Sequence, residues 1–399
     1  MKQDLHRPLI RLFLLFILFA YFVPSSLAQD PVFGLYFAQK MYVNPAFTGY
    51  DKGVVFSSGM RDQWYRIGGS DAIFRTYNLE LGIDASQINS GFGFQYLNSQ
   101  AGSSPDSKIG WNRASFSYAF RLRDCYGRPR KFEFSLGLRA SYNYYNLVSD
   151  NFRFPSQLDP LMPGILGPSP LGPLNDLIGS SVDFFDLDAG ALLRISGLGL
   201  GKTRDDQLLF GFAGHHIPGR MGFLELQPQR TFRGTFHLSY GRGELRKGGR
   251  QKLTAMLRSD MEFATAYFRP QGFTSWSNQL GAVWTIRESV SSSNKREYWV
   301  GAWGQGRVMP NGVNRGLDPD NPDHRLETQA SIYTAILSMG MKADLPGNSR
   351  LWSQSFRLGF SYSFRLNGVI NGGGRSIEAF LIWQFPNATR CNCYVPFNS

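Results

Sequence analysis

Lys131-Phe132-Glu133-Phe134-Ser135-Leu136-Gly137-Leu138-Arg139-Ala140-Ser141-Tyr142 alternates at every step. Phe132, Phe134, Leu136, Leu138, Ala140 and Tyr142 fall on one parity, with Lys131, Glu133, Ser135, Gly137, Arg139 and Ser141 on the other. Successive side chains of a strand point to opposite faces, so the stretch is a strand with one apolar and one polar face. Thr231–Tyr240 and Ser355–Arg365 repeat the pattern. Such lengths match a tilted strand crossing a bilayer, which needs about 9–11 residues. Strands of soluble proteins average about five or six.

Fourteen such segments follow one another. They start near Gly53, Ile73, Gly91, Ile109, Lys131, Asp183, Gln207, Thr231, Lys252, Phe273, Arg296, Gln329, Ser355 and Arg375. Those near Gly53, Gln207 and Arg296 alternate raggedly. An even number suits a closed antiparallel barrel, the form of sheet that leaves no unpaired backbone edge in lipid. The expected fold is all-β: a transmembrane outer-membrane β-barrel of about 14 antiparallel strands. The competing architecture is a secreted sandwich or propeller, which also alternates. Against it stand the strand lengths and the final segment, where Ile377, Ala379, Leu381, Trp383 and Phe385 share a parity and end on an aromatic. Trp64, Trp111, Trp276, Trp299 and Trp352, near segment ends, are expected in the aromatic girdles at the membrane interfaces.

Composition agrees with a chain that is lipid-facing on one side and wet on the other. Among 399 residues 42% are hydrophobic, 15% aromatic and only 18% charged, with 44 Gly. Aromatic content this high excludes disorder. No stretch suits a polytopic helical membrane protein, which needs several apolar runs of about 20 residues. Lys2, Arg7 and Arg11, the apolar run Leu12–Val23, and small residues at Ser26 and Ala28 read as a secretory signal peptide over residues 1–28. Twelve apolar residues rise only about 18 Å as a helix, short of a bilayer core. Cleavage leaves a formal charge of +10 in place of +12. The remaining organisation is a lead-in over 29–50, a barrel over 51–386 and a tail over 387–399. The stretches 147–181 and 309–326, rich in Pro, Gly and Asp, read as long loops facing outward.

Residues 29–64 carry the most specific pattern: Gln29-Asp30-Pro31-Val32-Phe33, then Asn44-Pro45-Ala46-Phe47-Thr48-Gly49, then Arg61-Asp62-Gln63-Trp64. This order resembles the PorP/SprF family of type IX secretion system membrane proteins. Ser376-Ile377-Glu378-Ala379-Phe380-Leu381 resembles the closing strand of that family. The lead Lys40-Met41-Tyr42-Val43 and the Cys-containing tail depart from its pattern. The resemblance implies an integral outer-membrane barrel that works with other secretion or motility components. It further implies support for secretion, surface anchoring or gliding use of a large adhesin-like cargo, whose C-terminal domain the barrel holds. The alternative function is a channel or transporter for small apolar or anionic molecules.

Asn44-Pro45 disfavours helix, because Pro restricts the preceding residue. Two placements of residues 29–50 stand open. In one, the segment packs in the lumen, with Asn44 bonding backbone groups and Phe47 filling a pocket. In the other, it caps the first strand from the periplasm. Arg61 reads as a lumen residue and Trp64 as an interfacial one, with partner contact as the functional alternative. Arg113, Arg121, Arg123, Arg139, Arg357 and Arg365 read as lumen-lining or lipid-headgroup residues. A cationic lumen would attract acidic cargo, which makes Arg139 and Arg357 partner-binding candidates beside Asn44, Pro45, Phe47, Arg61 and Trp64.

Enzyme chemistry finds little footing. There is neither a GxSxG element nor a P-loop. His215-His216 should point to opposite faces and so not share a metal. Gly197-Leu198-Gly199-Leu200-Gly201 reads as a turn. Asp205-Asp206 and Asp318–Asp323 could take calcium in loops but match no motif. Cys125, Cys391 and Cys393 are open to oxidation in an exported chain, with Cys125 able to bridge to either of the other two. No cofactor, catalytic residue or metal site is expected, and the signal peptide and strand pattern oppose nucleic acid as the reason for the basic charge.

Overall fold

The computed structural model describes residues 33–63, 74–104, 107–123, 131–149, 181–197, 206–217, 231–246, 249–266, 269–289, 295–310, 329–345, 354–366 and 375–385. Fourteen strands run in chain order: β1 Val54–Gln63, β2 Phe74–Ala85, β3 Ser90–Ser104, β4 Ser107–Arg123, β5 Lys131–Ser149, β6 Ser181–Ser196 and β7 Gln207–His215, then β8 Thr231–Arg246, β9 Gly249–Ala266, β10 Arg269–Ser289, β11 Lys295–Pro310, β12 Gln329–Leu345, β13 Gln354–Arg365 and β14 Ser376–Phe385. Every strand begins within four residues of the start read from the sequence. All neighbours are antiparallel, and β1 pairs with β14 from Val54↔Phe385 to Gln63↔Ser376, closing the barrel. The closed ladder satisfies the wall's backbone groups without water, as lipid requires.

The two faces are sorted inside out relative to a soluble protein. On β5, Phe132, Leu136 and Leu138 are 45%, 49% and 64% exposed, whereas Ser135, Arg139 and Ser141 are buried. On β13 and β14, Phe360, Tyr362, Ile377 and Trp383 likewise face out, with Ser361, Ser363, Ser376 and Glu378 inside. An apolar exterior around a polar interior identifies lipid as the outer solvent and rules out the secreted sandwich. Among the described residues no helix is long and apolar enough to cross a membrane.

Connections fall into two sets. Those following even-numbered strands lie at the end where β1 begins and β14 finishes; those following odd-numbered strands lie at the other. The segments 150–180 and 311–328 both follow odd-numbered strands, β5 and β11. Barrels of this kind carry short turns on the periplasmic side and longer loops outside, so the chain-end mouth is periplasmic. Strand β7 is the shortest: it meets β6 only over Ala189–Ser196 and β8 only over Arg233–Gly241.

Two placements depart from the sequence reading. Trp111 and Trp299 are not girdle residues: each is 5% exposed and lies on the inner face. There they pack on the segment that fills the lumen, which the alternation of a single strand cannot reveal. Trp276 is exposed, while Trp64 and Trp352 lie outside the described residues. The opposite-face reading of His215 and His216 also fails. Both are buried, because His216 leaves the strand with φ 60° and turns its ring inward.

Candidate functional site

Residues 33–50 occupy the lumen. Phe33, Leu35, Tyr36, Ala38, Met41, Tyr42, Val43, Ala46 and Phe47 are all buried. The segment contains one helical turn, α1 Lys40–Val43, and a 3-10 turn over Pro45–Phe47. Asn44 separates them with extended backbone, and its Oδ1 accepts from the Ala46 N–H at 2.9 Å. This is an Asx cap with Pro at the first position of the turn, where its missing N–H costs nothing.

So irregular a backbone cannot satisfy itself, and buried peptide groups must be paired. The strands supply the partners. Glu378 accepts from the Gly34 and Leu35 N–H groups at 2.7 and 2.9 Å. Glu80 accepts from the Tyr42 N–H at 2.8 Å and the Met41 N–H at 3.4 Å. Gln279 donates to the Gly34 carbonyl at 2.6 Å, Arg139 to that of Met41 at 2.7 Å and Ser135 to that of Ala46 at 2.8 Å. Asn44 Nδ2 reaches the Ala191 and Phe212 carbonyls, both at 3.1 Å, and His237 Nε2 at 3.2 Å. Phe47 stacks on His237 with ring centroids 5.2 Å apart.

Two glycines make the close approach feasible. A Cβ on Gly137 would lie 2.3 Å from the Pro45 carbonyl carbon and the Ala46 nitrogen, and one on Gly190 would lie 2.0 Å from Asn44 Oδ1.

Buried charges are compensated around this segment. Arg113 and Arg139 both contact Asp188, Arg121 meets Asp84 at 2.9 Å and Arg258 meets Asp260 at 2.8 Å. Arg61 meets Glu378 at 3.2 Å, tying β1 to the acid that holds Gly34. Asp186, Asp188 and His216 bring ligand atoms within 4.8 Å of one another, as a metal site would. Asp188 is already met by two guanidinium groups and by the His216 N–H, and Asp186 by the His216 ring. The trio is therefore spent on an ion-pair network, in which an added cation would face Arg113 and Arg139.

The candidate residues separate into two groups. Asn44, Pro45, Phe47, Arg61 and Arg139 converge on the lumen segment. Arg139 is 1% exposed, and its bonds run to Asp188, Gln95, His215 and Met41, so its guanidinium is enclosed. Arg357 stands apart, half-buried on a cavity at the periplasmic mouth. Trp64 lies outside the described residues, as do the side chains of Arg123 and Arg365, the residues Asp205 and Asp318–Asp323, and all three cysteines. Sequence reasoning missed Glu80, Glu378, Asp188 and Gln279. Their signal was present: each lies on the inward, polar parity of its strand.

The fold and the inverted sorting define an integral outer-membrane barrel with its own chain packed in its lumen. Residues 25–217 match the sequence profile of the type IX secretion system membrane protein PorP/SprF. No curated protein sequence matches the chain. Solved structures with similar architecture include a Pseudomonas aeruginosa FadL homologue at 13% identity, covering 87% of this chain and 92% of that one with a TM-score of 0.37. The CymD monoaromatic hydrocarbon channel shares 12% identity over 87% and 91%, with a TM-score of 0.39.

Proposed function

We propose that the chain is a non-enzymatic outer-membrane component of the type IX secretion system that supports secretion or surface anchoring of a large exported protein, holding that cargo's C-terminal domain at the extracellular mouth. The observation that carries this reading is the filled lumen. A barrel whose interior is pinned to its own segment by carboxylates, amides and arginines is a rigid seat. The inner wall toward the outer mouth adds to this rigidity, since Trp111, Tyr145 and Phe184 stack ring on ring at 5.5 and 5.8 Å, with Trp111 and Phe184 buried.

Purification of the intact barrel from cells, followed by mass spectrometry, tests the reading. A large exported protein should co-purify in stable proportion, and deletion of residues 29–50 should leave the barrel inserted while impairing cargo display. Normal display after that deletion would refute the role given to the lumen segment. The channel reading requires the segment to move. It gains ground if the unaltered protein conducts small solutes across planar bilayers without cargo.

A further inference from the structure

The lumen segment leaves one region of the periplasmic half unfilled. A cavity of about 460 Å³ lies between Phe37 and the inner faces of β6 to β13. Its lining carries Arg194, Lys252, Arg287, Lys342 and Arg357 against only Asp206 and Glu297. All five cations sit near strand ends on the chain-end side, so they ring the periplasmic mouth. This differs from the charge pattern around the lumen segment, where Arg113, Arg121, Arg139 and Arg258 each meet an acid within about 3 Å.

Part of the ring is paired: Arg287 with Glu297 at 2.8 Å, Arg194 with Glu133 at 3.4 Å and Lys342 with Asp344 at 3.7 Å. Arg357 makes no ion pair among the described residues, and it faces the same cavity as the apolar side chains Phe37, Met256, Val283 and Trp299. Trp299 adds a buried indole N–H without an acceptor. A surplus of like charge in a partly enclosed space raises the local potential and favours an anion there. A volume of this size is typical of small-molecule sites, which are mostly apolar with a few placed polar groups.

We propose that this cavity is a binding site for a small organic anion, a carboxylate on an alkyl or aryl body, entering from the periplasm. The carboxylate lies against the Arg357 guanidinium, whose planar fork matches it. The apolar body lies on Phe37, Met256, Val283 and Trp299. The site is separate from the extracellular seat for cargo, so it stands or falls without that assignment.

The full-length barrel, held in amphipol to avoid partition into micelles, is titrated with dansyl-undecanoic acid and with its methyl ester, following dansyl emission. The acid should bind about tenfold more tightly than the ester. Arg357→Gln should weaken the acid about tenfold and leave the ester unchanged. Thr285→Trp, which fills the cavity from its β10 wall, should abolish binding of both. Heat-modifiable gel mobility establishes that each variant is a folded barrel. Equal affinity for acid and ester, or an Arg357→Gln barrel that binds as the parent does, overturns the proposal.

Discussion

Asn44 shows how a single side chain can fix an irregular segment. Its carboxamide caps the Pro45–Phe47 turn with one end and joins β6 and β7 carbonyls with the other. Replacing it with Ala removes all of these bonds and orphans the Ala46 N–H. Lost buried hydrogen bonds cost about 1–3 kcal/mol, so local opening of the segment should become about 5–150-fold easier. Hydrogen exchange at the Leu35 and Tyr42 amides reads this directly, and unchanged protection would show the segment to be held elsewhere.

A pH effect belongs to the same scale. Burial pushes the Asp51 carboxyl up, but the Lys40 ammonium at 2.7 Å, together with the more distant Arg357 and Arg194, outweighs it and holds Asp51 below the ordinary carboxylate range. A lowered folded value means the pair contributes fully above the unfolded value of about 3.9 and is lost as pH falls through the folded one. Protection of the Lys40 region should therefore be flat from pH 7 to about pH 5 and fall below about pH 4. In Asp51→Asn this fall should disappear.

Residue-level legibility was uneven for physical reasons. Asn44-Pro45 excluded helix and drew attention to its own side chain. Parity put Arg139 inside, but could not reveal that Asp188 on the neighbouring strand had already claimed it. The His215-His216 argument failed because alternation holds only while the backbone stays extended, and His216 is left-handed.

At the scale of elements, the strands that alternated badly in the sequence each turn large apolar side chains inward onto the lumen segment. Strand β7 turns Leu209 inward onto the cluster of Ala46, Phe47 and Leu192. Strand β11 turns Trp299 and Trp303 onto Phe37 and Leu35. Strand β1 turns Val55 toward Met41 and Tyr50. Each break in alternation marks inward apolar surface that would be out of place in a wet lumen and is needed under a packed one. The raggedness was legible, but its cause needed the segment in view.

The same packing supplies a test that keeps the whole chain. Gly137→Val places two methyl groups where the Pro45–Ala46 peptide lies, while a β-branched residue suits a strand. The segment should detach and become open to added protease near residues 33–50. The barrel should keep its heat-modifiable mobility, and small-ion conductance in planar bilayers should rise. A variant that still resists protease would mean that the strand yields before the segment does.

For the whole molecule, the exterior and interior obey opposite rules, and one pair of neighbours on β5 can compare them. Leu138 is 64% exposed on the lipid face and Arg139 is enclosed on the other. Leu138→Arg places a charge in the apolar belt, at a cost of about 2–4 kcal/mol near the bilayer midplane. Arg139→Leu leaves Asp188 with Arg113 as its one remaining guanidinium and strips the Met41 carbonyl of its donor. Breaking a buried pair in this way costs about 3–5 kcal/mol. Both substitutions should lower the urea midpoint for folding into lipid vesicles, but they should differ in how they respond to the lumen segment. In a barrel lacking residues 29–50 water replaces the segment, so the Arg139→Leu penalty should shrink, whereas the Leu138→Arg penalty should persist unchanged because lipid still faces that side. Equal shrinkage of both penalties would contradict the assignment of lipid outside and chain inside. The basic excess of the sequence divides along the same lines. Arginines around the segment are neutralised by acids that the strands bring to them, and the surplus gathers at the periplasmic mouth around Arg357.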